Sequence, residues 1–231
     1  MKITKRLEYI ANLVDEGKSV IDIGTDHGLV PLYLAKNEIS KDILATDISK
    51  KSLQKLEDKL DENLKKIIKT QVCDGLDKVE VKENQVAIIA GMGAVSIIEI
   101  LNKNIEKVRR LDYVICEGNI GNEKLRKFLN ENNFYIDKDF LIKDGRKHYD
   151  IIRFKNGKDR KLSLGEIYFG KFIYQDFNPL LMKRIDQIYK KNLKFKENIE
   201  KFSENKEGLD LIEERLKAIE EVKNYEDKRY S

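Results

Sequence analysis

The residue types best suited to chemistry stand at the ends of short apolar runs. Val20 to Pro31 reads V-I-D-I-G-T-D-H-G-L-V-P, a glycine turn between a buried strand and a helix. Dinucleotide folds place G-x-G-x-x-G at such a turn so that the backbone can approach a pyrophosphate. Here the spacing is D-x-G-x-D-x-G, with Asp22, Gly24 and Asp26 followed by His27 and Gly28. A second run ends at Asp47-Ile48, where a carboxylate can accept both hydroxyls of a ribose. A third ends at Asp74-Gly75, and an acid there has no counterpart in the simple nicotinamide fingerprint. Asp22, Asp47 and Asp74 at successive strand ends would surround a pyrophosphate with negative charge. They suit a sulfonium cation with an aminopropyl tail far better. Taken singly, each aspartate also reads as a helix cap or a turn former.

That charge pattern points to S-adenosyl-L-methionine as the cofactor. A fourth run leads into A-G-M-G-A, Ala90 to Ala94. Gly91 and Gly93 on either side of Met92 let a ligand come close to backbone, and a following helix would present free N–H groups. A tight strand-to-helix turn explains the same pentapeptide. The candidate cofactor contacts are therefore Asp22, Gly24, His27, Asp47, Ile48, Asp74, Gly75, Ala90, Gly91, Met92 and Gly93.

The elements that must hold these residues follow from hydrophobic periodicity. Strand-like runs at Ser19–Gly24, Asp42–Ile48, Thr70–Asp74, Gln85–Gly91 and Asp112–Glu117 alternate with helical stretches at Gly28–Asn37, Lys50–Leu64, Ala94–Val108 and Asn122–Asn132. Such alternation predicts βαβ units around a parallel sheet. Phe134–Ile142 and His148–Phe154 read as a closing antiparallel hairpin. Beyond Gly157 the pattern changes. Leu181, Ile185, Ile188, Asn192, Phe195, Ile199 and Phe202 follow a 4-3-4-3-4-3 spacing, and Leu209, Ile212, Leu216, Ile219 and Val222 continue a seam. This predicts two antiparallel helices, with Asn192 the single polar seam member. The expected division is residues 1–157 for the sheet domain and 158–231 for the coiled-coil hairpin.

Composition bounds the function. With 41% apolar and 37% charged residues the chain has enough for a core, and its net charge of +4 permits nucleic acid without requiring it. Cys73, Cys116, His27 and His148 form no zinc spacing, so no metal is expected. No signal-type apolar core or membrane-length run occurs, and a cytoplasmic protein without membrane contact is the expectation.

With D-I-G-T-D-H-G-L-V-P and I-A-G-M-G-A both present, the sequence resembles the bacterial tRNA (adenine-22-N1)-methyltransferases. Arg6-Leu7, Asn119, K-H-Y-D-I at 147–151 and F-G at 169–170 match further parts of that pattern, in order, over nearly the whole chain. The family often has Q-P-N-N where this chain has Glu117-Gly118-Asn119-Ile120, and A-G-M-G-G where it has A-G-M-G-A. The resemblance implies an α/β fold: a Rossmann-like class I methyltransferase sheet with a C-terminal α-helical coiled-coil hairpin. It further implies S-adenosyl-L-methionine as cofactor, tRNA as substrate, Asp74 facing the adenine amino group, and the coiled coil as part of the tRNA-holding surface.

For that reaction Asp26 is the candidate catalytic carboxylate, with Asn119 beside it. Capping the next helix, or orienting His27, is the structural alternative for Asp26. Met92 and Tyr33 are candidate walls for the base. Lys2, Lys5 and Arg6 near the pocket mouth, and Lys190, Lys191 and Lys194 on the first long helix, are candidate phosphate contacts. Mutual charge complementarity between the basic and acidic long helices explains the last three equally well. The competing functions are methylation of another RNA site or of a small metabolite, and RNA binding by a degenerate nucleotide fold.

Overall fold

The computed structural model describes residues 3–175, 179–202 and 206–230. The chain divides into two compact units, Met1–Arg160 and Lys161–Ser231.

The first unit opens with α1 (Lys5–Ala11), whose N-terminus is capped by the Thr4 hydroxyl accepting from the Leu7 N–H. The strands are β1 (Ser19–Ile23), β2 (Ile43–Asp47), β3 (Ile68–Val72), β4 (Gln85–Met92), β5 (Val114–Gly118), β6 (Phe134–Asp144) and β7 (Lys147–Asn156). Their spatial order is β3-β2-β1-β4-β5-β7-β6, parallel except for β7, which runs antiparallel to both β5 and β6. β1, β4 and β5 are buried almost continuously because helices cover both faces of a parallel sheet. The core joins Val20, Ile43, Val86, Ile88 and Ile115 from the strands to Ile10 and Leu34 from the helices. The strand order reverses between β1 and β4, the crevice where open α/β sheets bind ligands.

The intervening helices are α2 (Leu29–Lys36), α3 (Lys50–Glu57), α4 (Leu64–Ile67), α5 (Ala94–Lys103), α6 (Ile105–Arg110) and α7 (Asn122–Glu131). Two expected helices are each broken in two. Lys50–Leu64 stops at Glu57 because the Asp61 carboxylate accepts from the Asn63 and Leu64 N–H groups and starts α4 afresh. Ala94–Val108 breaks at Asn104, whose side-chain amide turns back to the Ile100 carbonyl at 3.2 Å. The hairpin is longer than its apolar runs, since only Gly145-Arg146 separates β6 from β7.

In the second unit, α8 (Leu164–Phe169) is a short helix with a capping box between Ser163 and Glu166. It packs on α10 (Lys206–Tyr230), which pairs with α9 (Pro179–Phe202). Leu181, Ile185, Asn192, Leu216, Ile219 and Val222 are buried as the seam requires. Phe195 is not: it stays 46% exposed beneath the Lys191 ammonium. Asn192 spends its amide on the Ile188 carbonyl of its own helix, at 2.7 Å. The Phe202 side chain and Lys2 lie outside the described residues. Lys196–Glu213 at 2.8 Å and Asp186–Lys223 at 2.6 Å tie α9 to α10. Among the described residues, no helix is long and apolar enough to cross a membrane.

Candidate active site

Two clefts open at the carboxyl ends of the strands and share Gly24 and Met92. The first, about 560 Å³, lies over β1, β2 and β4 and is roofed by one face of α5. Gly24, Asp47, Ile48, Asp74, Gly75, Met92 and Gly93 line it, as the strand-end pattern anticipated. The second, about 370 Å³, takes in Asp22, Asp26, His27, Ala90 and Gly91, with Arg6 from α1. Gly24 has φ +73, and a Cβ there would fall 2.1 Å from the Met92 methyl. Glycine is what lets the β1 and β4 turns come together.

Asp47 is held at both oxygens. One accepts from the Asp26 N–H at 3.2 Å and the other from the Ser49 N–H at 2.8 Å. This fixes the carboxylate at the cleft wall. Asp22 is buried, accepts from the Thr25 hydroxyl, and has its carboxyl pushed up to about 6, chiefly by burial. Thr25 opposes that shift, and the nearby Asp47 charge adds to it. Asp74 makes a 2.8 Å ion pair with Lys103, which also reaches Asp77 at 2.6 Å. The two carboxylates hold the lysine's pKa above its usual range.

Sequence reasoning missed the α5 wall of the first cleft: Ser96, Glu99, Ile100 and Lys103. Their spacing of three and four residues after A-G-M-G was a readable signal that one helix face looks into the cleft. The donor set fits a nucleoside with a cationic tail. Its charged side chains are Asp47, Asp74 and Glu99 against Lys103, and that lysine is already paired with Asp74 and Asp77.

On the other side, Asp26 occupies a left-handed backbone conformation with φ +44, which aspartate tolerates better than most residues. It does not cap α2; that helix starts at Gly28 with no side-chain cap. Its carboxylate, 62% exposed, lies 3.4 Å from His27 Nε2 and 3.9 Å from Lys55 Nζ. His27 itself lies in the second cleft and away from the first, and its carbonyl accepts from Lys59 Nζ at 2.8 Å. Tyr33 lines neither cleft; its hydroxyl faces Glu8 and Asn12.

Arg6 lines the second cleft at its mouth. Its guanidinium turns inward to the fully buried Glu117 and lies 4.9 Å over the Tyr149 ring. Pairing with a cation offsets the cost of burying that carboxylate. Lys5 stays exposed on α1. Lys190, Lys191 and Lys194 are exposed on α9, with no carboxylate within 4 Å of Lys190 or Lys194 among the described residues.

Asn119, just beyond β5, gives its amide to the Gly91 carbonyl at 2.7 Å, and its N–H to the Met92 carbonyl at 2.8 Å. Its visible work is to hold the β4 turn. No group of three or more potential metal ligands occurs among the described residues.

A family model described as a methyltransferase domain matches residues 3–152. A Bacillus subtilis protein named tRNA (adenine(22)-N(1))-methyltransferase is 24% identical over 233 residues, spanning 96% of this chain and 97% of its own. The Streptococcus pneumoniae protein Sp1610, solved in complex with S-adenosyl-L-methionine, superposes with a TM-score of 0.82 at 26% identity, covering 96% of this chain and 99% of that one. TrmK from M. capricolum, solved with the cofactor product S-adenosyl-homocysteine, gives a TM-score of 0.82 at 25% identity, covering 97% and 99%. The strand order, the paired clefts and the matched residues agree: the chain belongs to the methyltransferase domain family, class I in its topology.

Proposed function

We propose that the protein methylates N1 of adenine 22 in tRNA, using S-adenosyl-L-methionine. The observation that carries this reading is the junction of the two clefts at Gly24 and Met92, a nucleoside-sized acidic one against a second one large enough for a base. The full-length similarity to a named tRNA (adenine(22)-N(1))-methyltransferase supports the substrate.

The cofactor supplies an electrophilic methyl on a sulfonium. Adenine N1 carries an in-plane lone pair, so the N–C bond forms as the C–S bond breaks, and the sulfur keeps the electron pair. Positive charge passes from sulfur to the adenine ring, and no proton has to leave N1. The residues therefore need only to position and stabilise. Asp47 would hold the ribose, and Asp74, with Lys103 fixing one oxygen, would hold the adenine of the cofactor. Asp26 faces the second cleft and favours the cationic product ring as it develops. Alignment of N1 with the methyl supplies most of the remaining acceleration. Because N1 lies on the Watson–Crick edge, the target base must leave its tertiary contacts before it reacts. A basic α9 surface at Lys190, Lys191 and Lys194 would hold the tRNA backbone.

Incubation with methyl-labelled cofactor and bulk tRNA tests the assignment. Label should enter tRNA, and neither protein nor small-molecule extracts should accept it. Calorimetric absence of cofactor binding would instead favour a degenerate RNA-binding fold.

A further inference from the structure

Glu117 has no role in the mechanism above, yet it is the most fully enclosed carboxylate beside the site. Its side chain is 0% exposed, at the end of β5. Its Oε2 accepts from the Gly91 N–H at 3.0 Å and from the Arg6 guanidinium, while Oε1 is buried without a partner. Burial pushes the Glu117 carboxyl up from its ordinary value, opposed by Arg6 and by the Gly91 N–H.

Gly91 sits where β4 bulges between Ala90 and Met92, with φ +83. Both of its polar groups are taken by one short stretch of chain. Glu117 receives its N–H, and Asn119 donates to its carbonyl. That same Glu117 oxygen anchors Arg6, which carries α1 along the rim of the second cleft. The Arg6 backbone N–H is tied separately to Asp144 at 3.3 Å.

Resting on the methyl-transfer reading, we propose that Glu117 and Arg6 are positioning residues of the acceptor site. Glu117 fixes the Gly91 peptide that forms the wall between methyl and base. Arg6 closes α1 over the base cleft by binding the same oxygen. Neither touches the cofactor cleft, so their effect falls on the transfer step and leaves cofactor affinity unchanged.

The test uses the full chain and four proteins: wild type, Glu117→Ala, Arg6→Ala, and Arg6→Ala combined with Glu117→Gln. Single-turnover methylation at saturating tRNA should fall about 10²-fold in Glu117→Ala, the scale of a misplaced reacting group, with wild-type cofactor affinity by calorimetry. Arg6→Ala alone leaves a buried carboxylate without its cation. The double variant removes that charge while keeping an acceptor for Gly91, and should be faster than Arg6→Ala. Hydrogen exchange supplies an arm that needs no activity: the Gly91 amide should lose protection in Glu117→Ala while β1 and β2 keep theirs. A folded Glu117→Ala with wild-type rate or an unchanged Gly91 amide overturns the proposal. So does a loss of cofactor affinity that matches the loss of rate. Should Glu117→Ala fail to fold, a double variant no faster than Arg6→Ala decides against it. Wild-type protein that methylates no tRNA would sink the functional reading itself, and the exchange arm would still judge the Glu117–Gly91 contact.

Discussion

The cleft lined by Asp47 and Asp74 takes its carboxylates from the ends of neighbouring parallel strands, while the cleft lined by Asp26 and Arg6 is assembled from contacts far apart in the chain. In the first, each acid ends or follows a strand, and the sheet brings them together as a consequence of its topology. In the second, Arg6 meets Glu117 across 111 positions. On the proposed reading, the cofactor would be met by geometry that the strand ends determine, and the acceptor by side chains paired across the chain. Asp47 belongs to both, since it lines the first cleft and holds the Asp26 N–H that shapes the second.

The largest separation between the clefts should come from Asp26→Asn, which keeps shape and removes charge. Single-turnover methylation should slow by about 10²-fold, comparable to losing one electrostatic partner in other enzymes, with cofactor affinity unchanged. A wild-type rate would leave Asp26 only its loop geometry and its contact with His27. Next in size is Asp47→Ala, which strips two ribose hydroxyls of a charged acceptor. Such bonds contribute about 1.5–3 kcal/mol, so calorimetry should find affinity reduced roughly 10- to 100-fold. Because the Asp26 N–H loses its acceptor too, the methylation rate should fall even at saturating cofactor.

Asp22 gives a pH dependence whose sign is fixed by burial. Its folded carboxyl is raised from 3.8 to about 6, so the neutral form is favoured below pH 6. The stability it contributes is fully present below about pH 4 and is lost as pH rises through 6. A cationic group held where the two clefts meet favours the charged form of Asp22, so cofactor affinity should strengthen as pH rises through 6, with protons released on binding. Titrations in buffers of different ionisation enthalpy measure this directly, and Asp22→Asn should flatten the profile. A flat wild-type profile would show that the ligand's charge lies away from Asp22. The smallest expected effect lies outside both clefts. Reversing charge at Lys190, Lys191 and Lys194 should raise the tRNA KM and reduce its salt slope by about one unit per lost phosphate contact at most, with cofactor affinity untouched.

Legibility in the sequence followed the same division. Asp22, Asp47, Asp74 and A-G-M-G were readable because strand periodicity fixes where each run ends. The seam of α9 and α10 was readable from its spacing, although Phe195 breaks it by remaining exposed. The capping box at Ser163 and Glu166 was a local signal for α8 that the heptad pattern overshadowed. Asp61 and Asn104 ended helices through side-chain bonds to backbone, which propensity alone does not register. The partners of Lys103 and Glu117 were out of reach, because a lysine or a glutamate announces its partner only when the fold delivers one. Arg6 was read as a phosphate contact for that reason: from sequence it is a cation on a basic helix, and only the buried Glu117 turns it inward.

The central claim is that a lone pair on adenine N1 attacks the methyl without a general base. Digestion of methylated tRNA to nucleosides, with chromatography to separate ring-methylated from amino-methylated adenosine and a reverse-transcription stop to locate it, tests that claim most directly. The account predicts 1-methyladenosine at position 22. Methylation of the exocyclic amino group would contradict it, since that nitrogen must shed a proton.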